Sequence, residues 1–339
     1  MTFATSFVRL NWIATVLIYM IFVAGSLVRI TGSGMGCPDW PKCFGEWIPP
    51  TDDSALPENY KDIYSEGRAQ KIEKFSTLLS GIGMNETAEQ LRNDPNLRFE
   101  NDFNAAKTWT EYVNRLIGFL AGNVMLLIFA WMLIKYRKRK LIFIAALNLL
   151  LMAFQAWFGS IVVASNLVPW TITVHMFFGL LILGIQLYMV RLISPSQQKN
   201  LDQTGWMRTL ILVVFAITFY QMFLGTQVRE SIDELVLRGY TREMWVEALG
   251  MPFFIHRSFS WLVLIALLIM AWKNEKTHKY KTIRWTFALL IIELISGVLL
   301  AHVDMPGIVQ TAHLIFAAAI FGILTMLVFR SKRVAPIIQ

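Results

Sequence analysis

The sequence predicts an all-α integral membrane protein with eight transmembrane helices, arranged as two repeated four-helix bundles. Hydrophobic residues make up 55% of its 339 residues and charged residues only 16%, whereas soluble domains carry about 25% charged residues. The apolar residues fall into eight stretches, each close to the roughly 20 residues that cross a bilayer. The net charge of +8 comes from residues between these stretches. Membrane topology therefore explains it, and we expect a lipid bilayer rather than nucleic acid as the partner.

The predicted spans are separated by polar or charged connections. They cover residues 11–30, 111–134, 141–163, 171–191, 208–226, 253–272, 285–303 and 309–329. The first stretch ends at Arg29 rather than at a cleavage site of small residues, so we expect it to persist as a helix and not to be removed as a signal peptide.

Lysine and arginine residues in the short connections predict the orientation, because they concentrate on the cytoplasmic side. Such residues crowd the connections 135–140 and 273–284 and the final segment 330–333. We therefore expect a multi-pass protein of the inner (cytoplasmic) membrane with both termini in the cytoplasm. Segments 31–108 and 227–252 would then lie outside, with residues 51–107 forming a small cap of short helices.

An internal repeat predicts two four-helix halves, residues 1–192 and 193–339. The matches occur in the same order along both halves: Gly25-Ser-Leu-Val-Arg29 with Gly225-Thr-Gln-Val-Arg229, Asn114-Arg115 with His256-Arg257, Gln155-Ala-Trp-Phe-Gly159 with Glu293-Leu-Ile-Ser-Gly297, and His175 with His313. Four ordered matches are difficult to attribute to chance. We therefore expect parallel halves with corresponding sites.

The repeated histidines lie near the outer ends of the even-numbered spans. Asn114, His175, His256 and His313 share one depth, and ionisable groups inside a membrane are functional candidates. Each histidine alone could simply bond to a neighbouring helix, but aligned pairs favour ligation. Imidazoles on facing helices suit the axial ligation of haem iron, whereas zinc needs three or four ligands. We therefore predict a haem held between His256 and His313.

The first half differs from the second in two ways. Asn114 replaces a histidine, and Glu111 lies three residues before it on the same helical face. A site with one strong ligand, His175, leaves iron coordination open or weakly filled, and a nearby carboxylate can transfer protons. The first half thus resembles a reaction site and the second an electron-transfer site. Four cations near the outer face are candidates for binding the haem propionates, with interfacial anchoring as the alternative: Arg29, Arg115, Arg229 and Arg257.

Other polar residues have simpler interpretations. Cys37 and Cys43 lie in an outward segment, where a disulfide is favoured over two free thiols. His278 is expected to be solvated. His302 is interpreted as a surface histidine, with a propionate contact as the alternative, and Glu293 as a packing contact, with a proton path as the alternative.

With these residues, the chain resembles the haem A synthase family over nearly its full length. The resemblance is carried by the segment Gly-Ser-Gly-Met-Gly-Cys-Pro-Asp-Trp-Pro from position 32, by Glu-x-x-x-Arg at the start of the second span, and by histidines in the fourth, sixth and eighth spans. It implies oxidation of a ring methyl of haem O to a formyl group by successive hydroxylation, which yields haem A for terminal oxidases. A resident haem b in the second half would pass electrons.

The resemblance also implies residue roles and partners. His256 and His313 would ligate haem b, His175 would ligate the substrate haem, Glu111 would be the catalytic carboxylate, and Cys37 and Cys43 would match the outer-loop pair. The implied partners are a haem O synthase, the assembly machinery of a terminal oxidase and an unidentified electron donor; homo-oligomerisation is left open. Asn114 departs from the usual Glu-x-x-His-Arg and favours a five-coordinate substrate haem.

Two alternatives belong to other functional classes. A dihaem b-type cytochrome would transfer electrons without catalysis, but it has no use for a carboxylate in one half only. A transporter would also fit a parallel repeat, but its ionisable residues would gather at the membrane midplane rather than near one face.

Overall fold

The protein is described by a computed structural model over residues 3–81, 83–93, 100, 102–164, 169–194 and 205–331. Within these ranges it is helical and has no β-strand. In chain order the long helices are α1 (Thr5–Thr31), α4 (Ala105–Trp131), α5 (Arg139–Ala164), α6 (Pro169–Ile193), α7 (Gly205–Leu237), α9 (Met251–Lys276), α10 (Lys281–His302) and α11 (Gly307–Arg330). The helices between them are α2 (Tyr60–Gly81), α3 (Asn85–Asn93) and α8 (Arg242–Ala248).

The predicted fold class is confirmed. In the described part of the chain, eight helices are long and apolar enough to cross a membrane, as judged by length and composition. Many of their large apolar side chains are exposed. Such a surface is costly in water and suits a lipid environment.

Several helices extend beyond the predicted spans. The predicted fifth span ends at residue 226, whereas α7 continues to Leu237. The additional turns are amphipathic: Arg229 pairs with Asp233 one turn later, and Ile232 and Leu235 are buried against Trp245 of α8. Hydropathy marks where the apolar residues end and not where the helix ends, so part of the segment predicted to lie outside is helical.

The helical ends near the polar segments form what we call the cap end of the bundle, comprising residues 32–104 and 238–250. The α2 and α3 helices pack on α5 through apolar residues that include Phe75, Leu79 and Phe158. With 22 residues, α2 is longer than the short helices predicted for this cap. Arg68 of α2 forms an ion pair with Glu100, and burial raises the pKa of Glu100 above its ordinary value despite that partner.

The helices of the two predicted halves meet along α1, α6, α7 and α11. Ser26 Oγ and Thr311 Oγ1 lie 2.9 Å apart between α1 and α11, and Thr173 of α6 donates to Thr226 of α7 at 2.9 Å. Residues 195–204 of the connection fall outside the described part, so the division at residue 192 stays a prediction, as does the cytoplasmic location of both termini.

Candidate functional site

A cavity of about 2570 Å³ lies between the long helices and reaches the cap end. Residues from both halves line it, and they include each predicted ligand, the predicted carboxylate and the four predicted cations: Arg29, Glu111, Asn114, Arg115, His175, Arg229, His256, Arg257 and His313. The sequence predicts two separate sites. The structure brings both sets of residues to the walls of one cavity.

His256 of α9 and His313 of α11 face each other with their ring centroids 6.3 Å apart and their planes at 72°. A metal-bound imidazole nitrogen lies about 2 Å from the metal and about 1.1 Å from its own ring centre, so an ion ligated from both sides separates the centroids by about 6.2 Å. The observed spacing therefore fits a shared metal. In the described residues no three His, Cys, Asp or Glu side chains converge, so the donor set suits haem iron with two axial ligands rather than zinc.

A glycine on the preceding helix faces each of these histidines. A Cβ added at Gly159 or Gly225 would lie 3.2 Å from Cε1 of His175 or His256, respectively, and one added at Gly297 would lie 3.4 Å from Cε1 of His313. The missing side chains let the imidazole rings stand directly against the neighbouring helix, as close backbone approach by glycine allows. Gly25 faces Asn114 in the same way, at 4.0 Å from Oδ1.

Three of these glycines have a polar side chain one helical turn before them. Each of these side chains contacts the histidine that its glycine faces. Gln155 donates to the backbone carbonyl of His175 at 2.7 Å, Gln221 donates to that of His256 at 3.0 Å, and Glu293 Oε1 lies 3.3 Å from His313 Nδ1. The corresponding residue on α1 is Ile21. Sequence reasoning missed Gln221, although the spacing of a polar residue four positions before a glycine was available to find it.

Glu111 is fixed by two partners at the cap end. The backbone N–H of Cys37 donates to its Oε2 at 2.8 Å, and Arg115 donates to its Oε1. Arg115 also donates to the carbonyl of Cys37 at 2.8 Å. The glutamate is only 1% exposed, and a buried carboxylate needs such charge-assisted bonds.

The predicted disulfide between Cys37 and Cys43 is confirmed, with the two Cα atoms 5.1 Å apart. Both residues are buried beside Phe44, Tyr60 and Tyr64. Since the Cys37 backbone contacts Glu111, the disulfide loop forms the cap-side support of that carboxylate.

The four predicted cations have different environments. Arg29 of α1 and Arg229 of α7 both pair with Asp233. Arg115 forms an ion pair with Glu111. Arg257 lies over the rings of Phe253 and Phe254, 5.7 and 5.3 Å from their centroids, and has no carboxylate partner among the described residues.

Two further residues were either missed or left open by the sequence. Asp233 was missed, although its position four residues after Arg229 on a helix is a typical ion-pair spacing. His302 is exposed at the cavity wall, in keeping with a surface histidine.

Comparison of the sequence with known proteins assigns the chain to a family. Residues 8–325 match the family described as cytochrome oxidase assembly protein. Relatives named haem A synthase include those of Geobacillus kaustophilus, with 22% identity over 97% of this chain and 94% of the relative, and Halalkalibacterium halodurans, with 24% identity over 91% and 89%. The relative of that name from Flavobacterium johnsoniae is 22% identical over 94% of this chain and 95% of its own length. The chain therefore belongs to the cytochrome oxidase assembly protein family, and the predicted membership of the haem A synthase family is confirmed.

Proposed function

We propose that this protein is a haem A synthase, which oxidises a ring methyl of haem O to a formyl group by successive hydroxylation. The observation that carries the proposal is the 6.3 Å spacing of the His256 and His313 rings in the same cavity as His175 and Glu111. The matched relatives bear the name of this activity. The pair His256 and His313 fits a cofactor site, and the hydrogen-bonded carboxylate of Glu111 fits a reaction site beside it.

In the second half, His256 and His313 would hold haem b. Arg257 is the cation best placed to bind a propionate, because its guanidinium lies over the rings of Phe253 and Phe254 and has no carboxylate partner in the described part of the chain. Arg29 and Arg229 share a single carboxylate, so together they retain one positive charge for a second anionic group.

In the first half, His175 holds the substrate haem. Asn114 lines the same cavity but does not supply a strong ligand. When bound, the two haems supply electron transfer and oxygen chemistry. Glu111 exchanges a proton at Oε1 or Oε2 during turnover. Its two hydrogen-bond partners fix the direction in which the carboxyl group faces, and general acid–base catalysis depends on that geometry.

The remaining assignments follow from charge and from the family. The distribution of lysine and arginine supports an inner-membrane protein with the cap end outside and both termini in the cytoplasm. The internal repeat supports a substrate half, residues 1–192, and a cofactor half, residues 193–339. The family description supports a role in oxidase biogenesis, for which a haem O synthase would supply the substrate.

The test is co-expression with a haem O synthase in a host that lacks haem A, followed by extraction and chromatography of the haems. We expect haem A or its hydroxylated intermediate from the unmodified chain. Glu111→Gln should leave haem O unconverted while haem B remains bound, because the substitution removes a proton-transfer group and no iron ligand. Glu66→Gln, at an exposed position of the cap, is the matched control and should convert haem O normally.

Two results would contradict this proposal. If haem B and unconverted haem O were recovered from the unmodified chain, the protein would be a dihaem cytochrome without this catalysis. Normal conversion by Glu111→Gln would remove the glutamate from the reaction.

A further inference from the structure

The three histidines differ in the hydrogen-bond partners of their Nδ1 atoms. Metal-bound histidines usually donate their second N–H to a protein acceptor, which fixes the ring orientation and strengthens the ligand.

His313 has the best-supported ring. Ser296 Oγ lies 2.8 Å from its Nδ1, and Glu293 Oε1 lies 3.3 Å from the same atom. The Ser296 hydroxyl donates its only hydrogen to the carbonyl of Glu293 at 2.7 Å, so the oxygen must accept from Nδ1–H. This arrangement sets the tautomer and leaves the Nε2 lone pair of His313 free for a metal.

His256 has one partner for the same atom. The amide nitrogen of Gln221 lies 3.2 Å from Nδ1 and donates to the backbone carbonyl of His256 at 3.0 Å. The amide nitrogen is a donor, and Oε1 has no hydrogen-bond partner among the described residues. Gln221 therefore holds the helix that carries the ring and supplies no acceptor for an Nδ1–H.

His175 lacks this support. Its Nδ1 is buried without a hydrogen-bond partner in the described part of the chain, and Gln155 reaches only its backbone carbonyl. Three residues after Gln155, where α10 has Ser296 after Glu293, α5 has Phe158. The Phe158 ring stacks near the imidazole, with centroids 6.2 Å apart, and it offers no acceptor.

We propose that the support of His313 Nδ1 makes the second-half haem resident, and that its absence at His175 makes the first-half haem exchangeable, with Ser296 and Glu293 as positioning residues. This inference rests on the proposed function, because it assumes that both halves bind haem. Outer hydrogen bonds of this kind change metal affinity by about 10- to 100-fold. A synthase must release its product, while its electron-transfer haem has to stay, and the two environments supply that difference.

The test uses the purified full chain carrying haem B and haem O, mixed with excess apomyoglobin, with haem transfer followed by absorbance. The unmodified protein should release haem O faster than haem B. Ser296→Ala should speed the release of haem B about 10-fold or more, shift its reduction potential and leave haem O release unchanged. Ser231→Ala is the matched control, since its hydroxyl bonds to a carbonyl of its own helix at 3.1 Å; it should change neither rate.

The reciprocal variant copies the α10 arrangement into α5. Gln155→Glu with Phe158→Ser should slow the release of haem O towards that of haem B. Since Phe158 packs in a buried cluster, Gln155→Glu alone serves as the less disruptive variant and should act in the same direction.

Equal release rates for the two haems, or an unchanged haem B rate in Ser296→Ala, would overturn the inference. A chain that binds no haem would overturn both this inference and the proposed function. If two distinct rates were found in a chain that makes no haem A, only the proposed conversion would fail.

Discussion

Asn114 occupies the position that a histidine occupies in three other helix pairs. Its Oδ1 is buried without a hydrogen-bond partner among the described residues and lies 4.0 Å from a Cβ built at Gly25. The residue one turn before this glycine is Ile21, where the other pairs have glutamine or glutamate. The α1–α4 pair therefore lacks both the ligand and its polar companion, which supports a first-half haem with a single histidine ligand.

We expect Asn114→His to add a second axial ligand to the first-half haem. The haem should become six-coordinate and low-spin, and turnover should fall about tenfold, which corresponds to about 1.4 kcal/mol in the barrier. Optical and magnetic circular dichroism spectra, with haem A yield, measure these effects. Unchanged spectra and turnover would show that this position does not set the coordination.

At the residue scale, the sequence identifies functional candidates where a side chain is of a type that is rare inside a membrane. His175, His256, His313 and Glu111 stand out for that reason. Gln221 and Ser296 could not be recognised in the same way, because polar uncharged residues are common in packed membrane helices. Their importance depends on which ring they contact.

The Gly-rich segment before Cys37 lies directly against the first turns of α4. A Cβ added at Gly36 would lie 2.9 Å from the carbonyl carbon of Lys107 and from the amide nitrogen of Thr108. Backbone atoms cannot move aside as the tip of a side chain can, so only glycine allows this approach. The contact brings the Cys37 N–H to Glu111.

Gly36→Ala should push the disulfide loop away from α4 and lower haem A formation through a misplaced Glu111. Overpacking of this kind costs about 1–3 kcal/mol. Gly34→Ala is the matched control, because its nearest neighbour is a Val28 methyl group at 4.0 Å. Haem A yield and the thermal unfolding midpoint measure the effect, and equal behaviour of the two variants would refute this role for Gly36.

At the element scale, hydropathy predicts the existence of each span but not its full length. The α4 helix begins at Ala105, with Asn104 accepting from the Lys107 amide at 3.0 Å, ahead of the predicted start at 111. Polar turns and N-capping residues extend a helix into the cap end, where hydropathy cannot show the end of the helix.

Asp233 joins helices from the two predicted halves. Its two carboxylate oxygens pair with Arg29 of α1 and with Arg229 of its own helix, and Arg229 also donates to Gln310 of α11 at 2.6 Å. The aspartate side chain is only 10% exposed. One carboxylate thus holds together two guanidinium groups that would otherwise repel each other.

Asp233→Asn should destabilise the protein by about 3 kcal/mol, because it leaves two partly buried cations without their partner. Glu234→Gln is the matched control, since Glu234 is exposed and lies 3.9 Å from Arg238. Thermal unfolding in detergent measures the difference. Equal unfolding midpoints for the two variants would show that Asp233 does not couple the halves.

At the scale of the whole molecule, the sequence predicts the number of spans and the repeat, but not one cavity that both halves share. The repeat indicates equivalent positions within each half, and it carries no information about how the halves face each other. Asp233 is an example, since its partner Arg29 is 204 positions away and no local pattern connects them.

The same ion pair has a consequence for biosynthesis. Asp233 is synthesised 204 residues after Arg29. At a synthesis rate of about 5–20 residues per second, the two events are separated by roughly 10–40 s. During that interval the nascent chain carries an uncompensated guanidinium at the edge of its first span. Insertion of α7 ends that interval, because the Arg29–Asp233 ion pair can form only once the fifth span has been made.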